Sequence, residues 1–397
     1  MTAAILRNLA TVQPASELEP RLTEGKPLRV KLGVDPTAPA VTLGWAVVLR
    51  KLRDFQDAGH TAVLIIGDFT AQVGDPSGRN EIRRRLSAGE VQGYADKLLS
   101  QFDRILAPDR LEIRYNSEWL GALDMAALLD LTAKATVAQL LERGDFAKRF
   151  EEGNPISLME FLYPMMQGYD SVAVEADIEL GGTDQLWNLM MGRAIQARYG
   201  QRPQVAVTVP LLVGTDGVNK MSQSLDNYIG VTDRPEDMFG KVMSIPDSLL
   251  QDWFLLAAWA DPAEVDEIGR GLADGALHPA AVKRDLAARI VSLYWGEEEA
   301  AGARAAFDRT FKDHRPPEEV DEAVLPPGDP VYLPTLLRDL GLAPSSNEAK
   351  RLIAQMAVSL DGLPVTGEEV ARDAVLGSIL RVGKRRFVRL TAGDGRS

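Results

Sequence analysis

Between Leu28 and Trp45 the chain changes its repeat. Leu28, Val30, Leu32 and Val34 alternate with Arg29, Lys31 and Gly33, the two-residue period of a strand. Pro36 and Pro39 end that strand, because proline cannot donate a ladder hydrogen bond. Leu43, Val47, Val48 and Leu52 then recur at helical spacing. Further on, Ala62-Val-Leu-Ile-Ile-Gly is an unbroken apolar run, as expected of a parallel strand covered on both faces. Strand, helix and strand within about forty residues make a βαβ unit and predict an α/β protein with a doubly wound parallel sheet. Ligands of such sheets sit beyond the carboxyl ends of the strands, which gathers Lys31, Asp35, Asp68 and Thr70 near one crevice. A strand feeding a helix start leaves free backbone amides for an anion, and Gly44 permits close approach. By spacing alone the turn is either a nucleotide site or an ordinary connection.

At 397 residues the chain is long enough for two or three domains. It has no cysteine, so disulfides, thiol catalysis and cysteine-ligated zinc are excluded. His60, His278 and His314 are scattered, which argues against a histidine metal site or catalytic triad. No signal peptide or membrane-length apolar run is visible, so a cytoplasmic protein without membrane contact is expected. The net charge of −13 speaks against a nucleic-acid partner. From Val331 onward, however, ten Lys/Arg face seven Asp/Glu, and a basic end can hold a polyanion locally.

Residues 1–27 read as helical, with Pro14, Pro20 and Pro27 as breaks. Gly74-Asp-Pro-Ser-Gly-Arg has turn composition. Residues 90–150 read as helix-rich, with a strongly apolar helical pattern from Trp119 to Leu131. Tyr163, Gln167 and Asp170 share one helix face, as a lined pocket or a buried polar network would require. Asp177 to Gln185 reads as a strand running into Gly181 and Gly182, then a polar cluster. An apolar strand, Pro210 to Val213, precedes a polar loop from Gly217 to Asn227. Asp247–Ala260 and Pro279–Tyr294 are amphipathic helix candidates, and Lys283, Arg284 and Arg289 form either an RNA face or a solvated one. Val324 to Pro330 has linker composition. Beyond it come a helix capped near Ser345, a short hairpin from Val358, and a basic hairpin from Ile379.

Gly33-Val-Asp-Pro-Thr-Ala-Pro, followed by a Leu-Gly pair at a helix start, resembles the first signature of the tyrosyl-tRNA synthetases. Lys220-Met-Ser-Gln-Ser resembles their second, Lys-Met-Ser-Lys-Ser, and Gly181-Gly-Thr-Asp-Gln resembles their segment for ribose and tyrosine contacts. The resemblance spans nearly the whole chain and is closest to the bacterial branch typified by Thermus. The family's His-x-Gly-His is Thr42-Leu43-Gly44-Trp45 here, and its second signature lysine is Gln223.

This resemblance implies a Rossmann-like catalytic domain over 1–232, a helical anticodon-binding domain over 233–325, and a small ribosomal-protein-type RNA-binding domain over 331–397. It implies tyrosine contacts at Lys31, Thr70, Asp75, Tyr163, Gln167, Asp170 and Gln185. ATP contacts would be Asp35, Thr37, Gly44, Gly182, Asp184, Met221, Ser222 and Ser224. Thr42, Trp45, Lys220 and Gln223 would serve the phosphoryl-transfer step. Lys350, Arg351, Lys384, Arg385 and Arg386 would meet RNA phosphates. Lys31 stands where many relatives carry a tyrosine, and lysine there is a feature of the Thermus-like branch. The implied substrates are L-tyrosine, ATP with magnesium, and tRNA(Tyr), handled by a homodimer. Two functions follow: a tyrosine–tRNA ligase, or a synthetase-like paralogue that binds tyrosine or structured RNA without aminoacylation.

Overall fold

The computed structural model describes residues 2–75, 86–311, 321–383 and 386–392. The chain divides into two units, Met1–Gly296 and Glu297–Ser397.

The first unit is built on six strands: β1 (Thr11–Gln13), β2 (Arg29–Val34), β3 (Thr61–Ile66), β4 (Leu111–Tyr115), β5 (Ile178–Gly182) and β6 (Val205–Val209). Their order is β1-β6-β5-β2-β3-β4. All neighbours are parallel except β1, which runs antiparallel on the β6 edge. Val30 lies level with Ala62 on one side and with Ile178 on the other. Ala62 to Ile66 are completely buried, as the apolar run predicts. The chain winds one way through β2, β3 and β4 and the other way through β5 and β6. The reversal between β2 and β5 opens a crevice at their carboxyl ends. The Leu43–Asp57 helix follows β2, and its Leu43, Leu49, Leu52 and Phe55 are buried.

Several elements differ from the sequence expectation. The stretch read as wholly helical contains β1, too short to show a two-residue period. Pro20 lies inside the Ala15–Leu22 helix instead of ending it. Tertiary anchoring holds this helix: Arg21, almost fully buried, donates to Asp177 O and to the Glu17 carboxylate. The strand placed at Pro210–Val213 lies upstream at β6, and beyond it Val213 makes only an isolated bridge to Lys220. The Trp119–Leu131 pattern splits into helices Ser117–Leu120 and Met125–Thr132; Leu120 and Leu131 point inward while Met125 and Leu129 face out. The Asp247–Ala260 candidate shortens to a turn and a helix over Leu250–Leu256, followed by a Pro262–Ala273 helix. Pro279–Trp295 is helical, but Lys283 is buried against Ile245 O and Asp247, and Arg289 pairs with Glu264.

The second unit contains β7 (Asp321–Val324), β8 (Val331–Tyr332), β9 (Val358–Leu360), β10 (Leu363–Pro364), β11 (Glu369–Val370), β12 (Ile379–Val382) and β13 (Arg386–Thr391). Five form a sheet in the order β10-β9-β12-β13-β7, covering a core that includes Leu337, Ile353, Val358, Leu380 and Leu390. β7 runs parallel to β13, and Leu325 is in this core. The Val324–Pro330 stretch is therefore a loop inside this unit rather than a linker leading to it. The Ser346–Ala354 helix is capped by Ser345, whose Oγ accepts from Glu348 N at 3.2 Å.

Candidate active site

The crevice between β2 and β5 deepens into a cavity of about 1330 Å³. Its wall includes Asp35, Thr37, Thr42, Gly44, Trp45, Thr70 and Asp75 from the first half of the sheet, and Gly182, Asp184 and Gln185 beyond β5. Tyr163, Gln167 and Asp170 enter together from one face of the Leu158–Ala173 helix. Lys220, Met221, Ser222, Gln223 and Ser224 line the same space.

One end of the cavity is a carboxylate-rich pocket. Asp170, 3% exposed, accepts from Trp119 Nε1 at 2.8 Å and Asn116 Nδ2 at 3.3 Å. Burial raises its pKa to about 7, against the opposing pull of the Lys31 charge and these two hydrogen bonds. Tyr163 donates its hydroxyl to Asp35 Oδ2 at 2.9 Å, and Thr70 donates to Asp35 Oδ1 at 2.7 Å. Burial, then the Asp35 and Asp75 charges, push the Tyr163 phenol well above its ordinary range. Gln167 Oε1 is buried without a hydrogen-bond partner. Among the described residues lining the cavity it is the one buried side-chain N/O atom without a partner, an acceptor open to a ligand.

Asp75 belongs to a closed ring that no local sequence pattern announces. Gln185 Nε2 donates to Asp75 Oδ2 at 3.0 Å, and Asn188 Nδ2 donates to Gln185 Oε1 at 2.9 Å. Arg143 Nη1 donates to Asn188 Oδ1 at 3.2 Å, and its guanidinium lies 3.6 Å from Asp75. The rings of Phe146 and Trp187 flank that guanidinium. The members come from separate segments of the chain, and the one signal in the sequence is an arginine, whose several fixed donors suit such a ring.

Lys31 is not in the wall. It is fully buried behind it, 2.8 Å from Glu179, and donates to Ser171 Oγ at 2.8 Å and Gln167 O at 3.0 Å. A lysine inside a central strand must find an anion, and β5 supplies one. Its expected contact with substrate is thus replaced by a contact with the helix that carries the pocket. Asp68 is likewise engaged elsewhere, accepting from Ser117 N and Oγ.

The other end is built on the Leu43–Asp57 helix start. Thr42 is its cap, accepting from Trp45 N at 3.3 Å. Gly44 packs closely here: a Cβ would come 3.3 Å from that of Met221, a tight contact, and the Met221 Sδ accepts from Gly44 N. Lys220 Nζ lies 2.7 Å from Asp184. Ser222 Oγ and Ser224 Oγ share a 2.9 Å hydrogen bond, and Asn227 Oδ1 accepts from Ser222 N. Gln223 binds the backbone of Ala40.

Of the residues expected at RNA, Lys350 pairs with Glu368 at 3.0 Å beneath the Tyr332 ring, and Arg351 pairs with Glu348 at 2.7 Å. Arg386 donates to Leu342 O at 2.6 Å. Lys384 and Arg385 lie outside the described residues.

Residues 23–312 match the family of tRNA synthetases class I (W and Y). The chain is 48% identical over 388 residues to a tyrosine–tRNA ligase of Moorella thermoacetica, covering 97% of this chain and 94% of that one. It is 47% identical to a tyrosine–tRNA ligase of Thermotoga maritima, covering 98% and 96%. Among solved structures, a tyrosyl-tRNA synthetase of Archaeoglobus fulgidus complexed with L-tyrosine matches with a TM-score of 0.61 and 25% identity, over 76% of this chain and 98% of that one. With a parallel sheet that reverses its winding at the cavity and near-full-length identity to these enzymes, the chain belongs to the class I tRNA synthetases, among the tyrosine–tRNA ligases.

Proposed function

We propose that the two ends of the cavity divide the work of the ligase: the Asp170 end selects tyrosine and the helix-start end holds ATP. The observation that carries this reading is the three-residue face of the Leu158–Ala173 helix meeting the 220–224 loop in one cavity. Asp170 accepts the phenolic hydroxyl, and Asp75 takes the α-ammonium beside the unpartnered Gln167 Oε1. Tyr163, Thr70 and Gln185 fix the surrounding carboxylates. Lys31 acts from behind, holding Gln167 and Glu179.

Tyrosine's carboxylate then attacks the α-phosphorus of ATP and pyrophosphate leaves. This chemistry needs alignment and positive charge, with no protein nucleophile. Thr37, Ser222, Ser224, Gly44 and Gly182, all lining the cavity, bind the nucleotide, with Asp184 at its ribose and Lys220 at its phosphates. Thr42 retains a hydroxyl proton and Trp45 an indole N–H for the transition state. Met221 packs the loop onto Gly44. Hydroxyls and an ammonium suit phosphate oxygens, so we assign magnesium to ATP itself, where it shares the phosphate charge.

The helices from 233 to 325 and the sheet after 331 are proposed to receive tRNA(Tyr), in a cytoplasmic homodimer. Met125, Leu129, Val137, Phe150 and Leu158 are large apolar residues left exposed on consecutive helices, as a subunit interface would leave them in one chain. No helix among the described residues is long and apolar enough to cross a membrane. Identity to ligases over nearly the whole chain favours aminoacylation over a binding-only paralogue. Tyrosine-dependent exchange of pyrophosphate into ATP tests the reading. Its absence at high enzyme concentration, or its persistence undiminished in Asp75→Asn, overturns the assignment.

A further inference from the structure

Gln223 occupies the position of the second signature lysine, yet it meets backbone rather than charge. Its Nε2 donates to Ala40 O at 2.8 Å, and its Oε1 accepts from Ala40 N at 3.3 Å. One carboxamide thereby satisfies both polar groups of a turn residue, as a neighbouring strand would. Near the pairing, Pro39 and Thr42 on the turn and Ser222 and Ser224 on the loop line the cavity. A lysine carries three donors and no acceptor, so it could bond Ala40 O but not Ala40 N–H. The base of the loop is tied separately, by Met221 N to Leu212 O and by Leu43 N to Ile229 O. Gln223 acts beyond those ties, within the segment that carries the two serine hydroxyls.

We propose that Gln223 is a positioning residue: its carboxamide clamps the 220–224 loop to Ala40, so that the loop is closed before ATP binds. The signature position then contributes preorganisation of Lys220, Ser222 and Ser224 in place of a second cation. This rests on the reading that the 220–224 loop holds ATP.

The test uses the full chain, without ligand for hydrogen exchange and with tyrosine and ATP for pyrophosphate exchange. In the wild type the Ala40 amide is protected. In Gln223→Met it exchanges about tenfold faster or more, while the β3 amides, which report folding, are unchanged. Gln223→Lys also exchanges fast at Ala40, because restored charge does not restore the clamp. In Gln223→Met the turnover falls about tenfold with the KM for tyrosine unchanged. Equal Ala40 exchange in wild type and Gln223→Met overturns the clamp, as does full protection in Gln223→Lys. Lys220→Met separates the two readings. If its KM for ATP stays at the wild-type value while Gln223→Met still frees Ala40, the clamp stands and the ATP assignment of the loop falls.

Discussion

Asp170 is a carboxyl group kept close to neutrality by burial, with a pKa of about 7. A phenolic hydroxyl donates best to the ionised form, so with Asp170 as the proposed acceptor of tyrosine's hydroxyl, substrate binding is expected to draw it toward the carboxylate. On that reading the free protein releases a proton on binding below pH 7. The KM for tyrosine is therefore expected to fall between about pH 6 and about pH 8, with calorimetry in buffers of different ionisation enthalpy showing proton release at the lower pH. The stability of the empty protein has the opposite sign. The folded pKa exceeds the ordinary value of 3.8, so this contribution is fully present below that value and is lost as pH rises through about 7. Asp170→Asn removes both effects and, with them, preference for tyrosine over phenylalanine. Behind the pocket, Lys31 and Glu179 are a buried pair, each at most 1% exposed. Lys31→Met leaves Glu179 with the Ser171, Gln167 and Gln204 donors but no cation, and is expected to cost about 3–5 kcal/mol in denaturant unfolding. The double variant Lys31→Met with Glu179→Gln recovers most of that loss, since contacting partners do not add.

Elements with a long, regular repeat are legible in the residues themselves. β2 follows its two-residue period, β3 its unbroken apolar run, and the Leu158–Ala173 helix brings Tyr163, Gln167 and Asp170 together by spacing alone. β1 is hidden because three residues carry no period and its pairing is supplied by β6. Pro20 misleads because the burial of Arg21 outweighs a missing N–H. The site is half legible. Residues placed by a strand end or helix face can be named from the chain, whereas Arg143, Asn188 and the Ala40 backbone act through partners distant in sequence, which no local pattern encodes. Thr42 shows how one position can satisfy both scales: it stands at a signature histidine position and also caps the Leu43–Asp57 helix. Thr42→Ala is expected to destabilise by about 1 kcal/mol through the cap, measured by the denaturant midpoint, while Thr42→Ser stays near the wild type. A catalytic loss in Thr42→Ala far larger in energy than that would belong to the transition state, where one lost donor costs about 3–4 kcal/mol.

For the whole molecule, the decisive fact is that every residue lining the cavity lies in the first unit, before Gly296. In the other, Lys/Arg exceed Asp/Glu only from Val331 onward, ten to seven, against an overall charge of −13. On the proposed reading, tyrosine activation and the holding of a polyanion are therefore separable by position in the chain. The place to cut follows from the sheet of the second unit, where β7 pairs with β13 and Leu325 enters the core. A truncation at residue 330 leaves β7 and Leu325 stripped of their partners, exposing an unpaired strand edge and an apolar side chain. A truncation after Gly296 leaves no such remnant. The shorter chain, 1–296, is expected to keep tyrosine-dependent pyrophosphate exchange within about threefold of the full chain and to lose most tRNA charging. Chain 1–330 is expected to aggregate more readily at equal concentration. Filter binding of tRNA over a salt series gives the physical reason for the lost charging. Lys350 and Arg351 are held by Glu368 and Glu348, and on the proposed reading exchange those carboxylates for phosphates. The full chain should then show a steeper loss of affinity with salt than chain 1–296. Equal slopes would mean that the basic hairpin and its capped helix do not touch the RNA backbone.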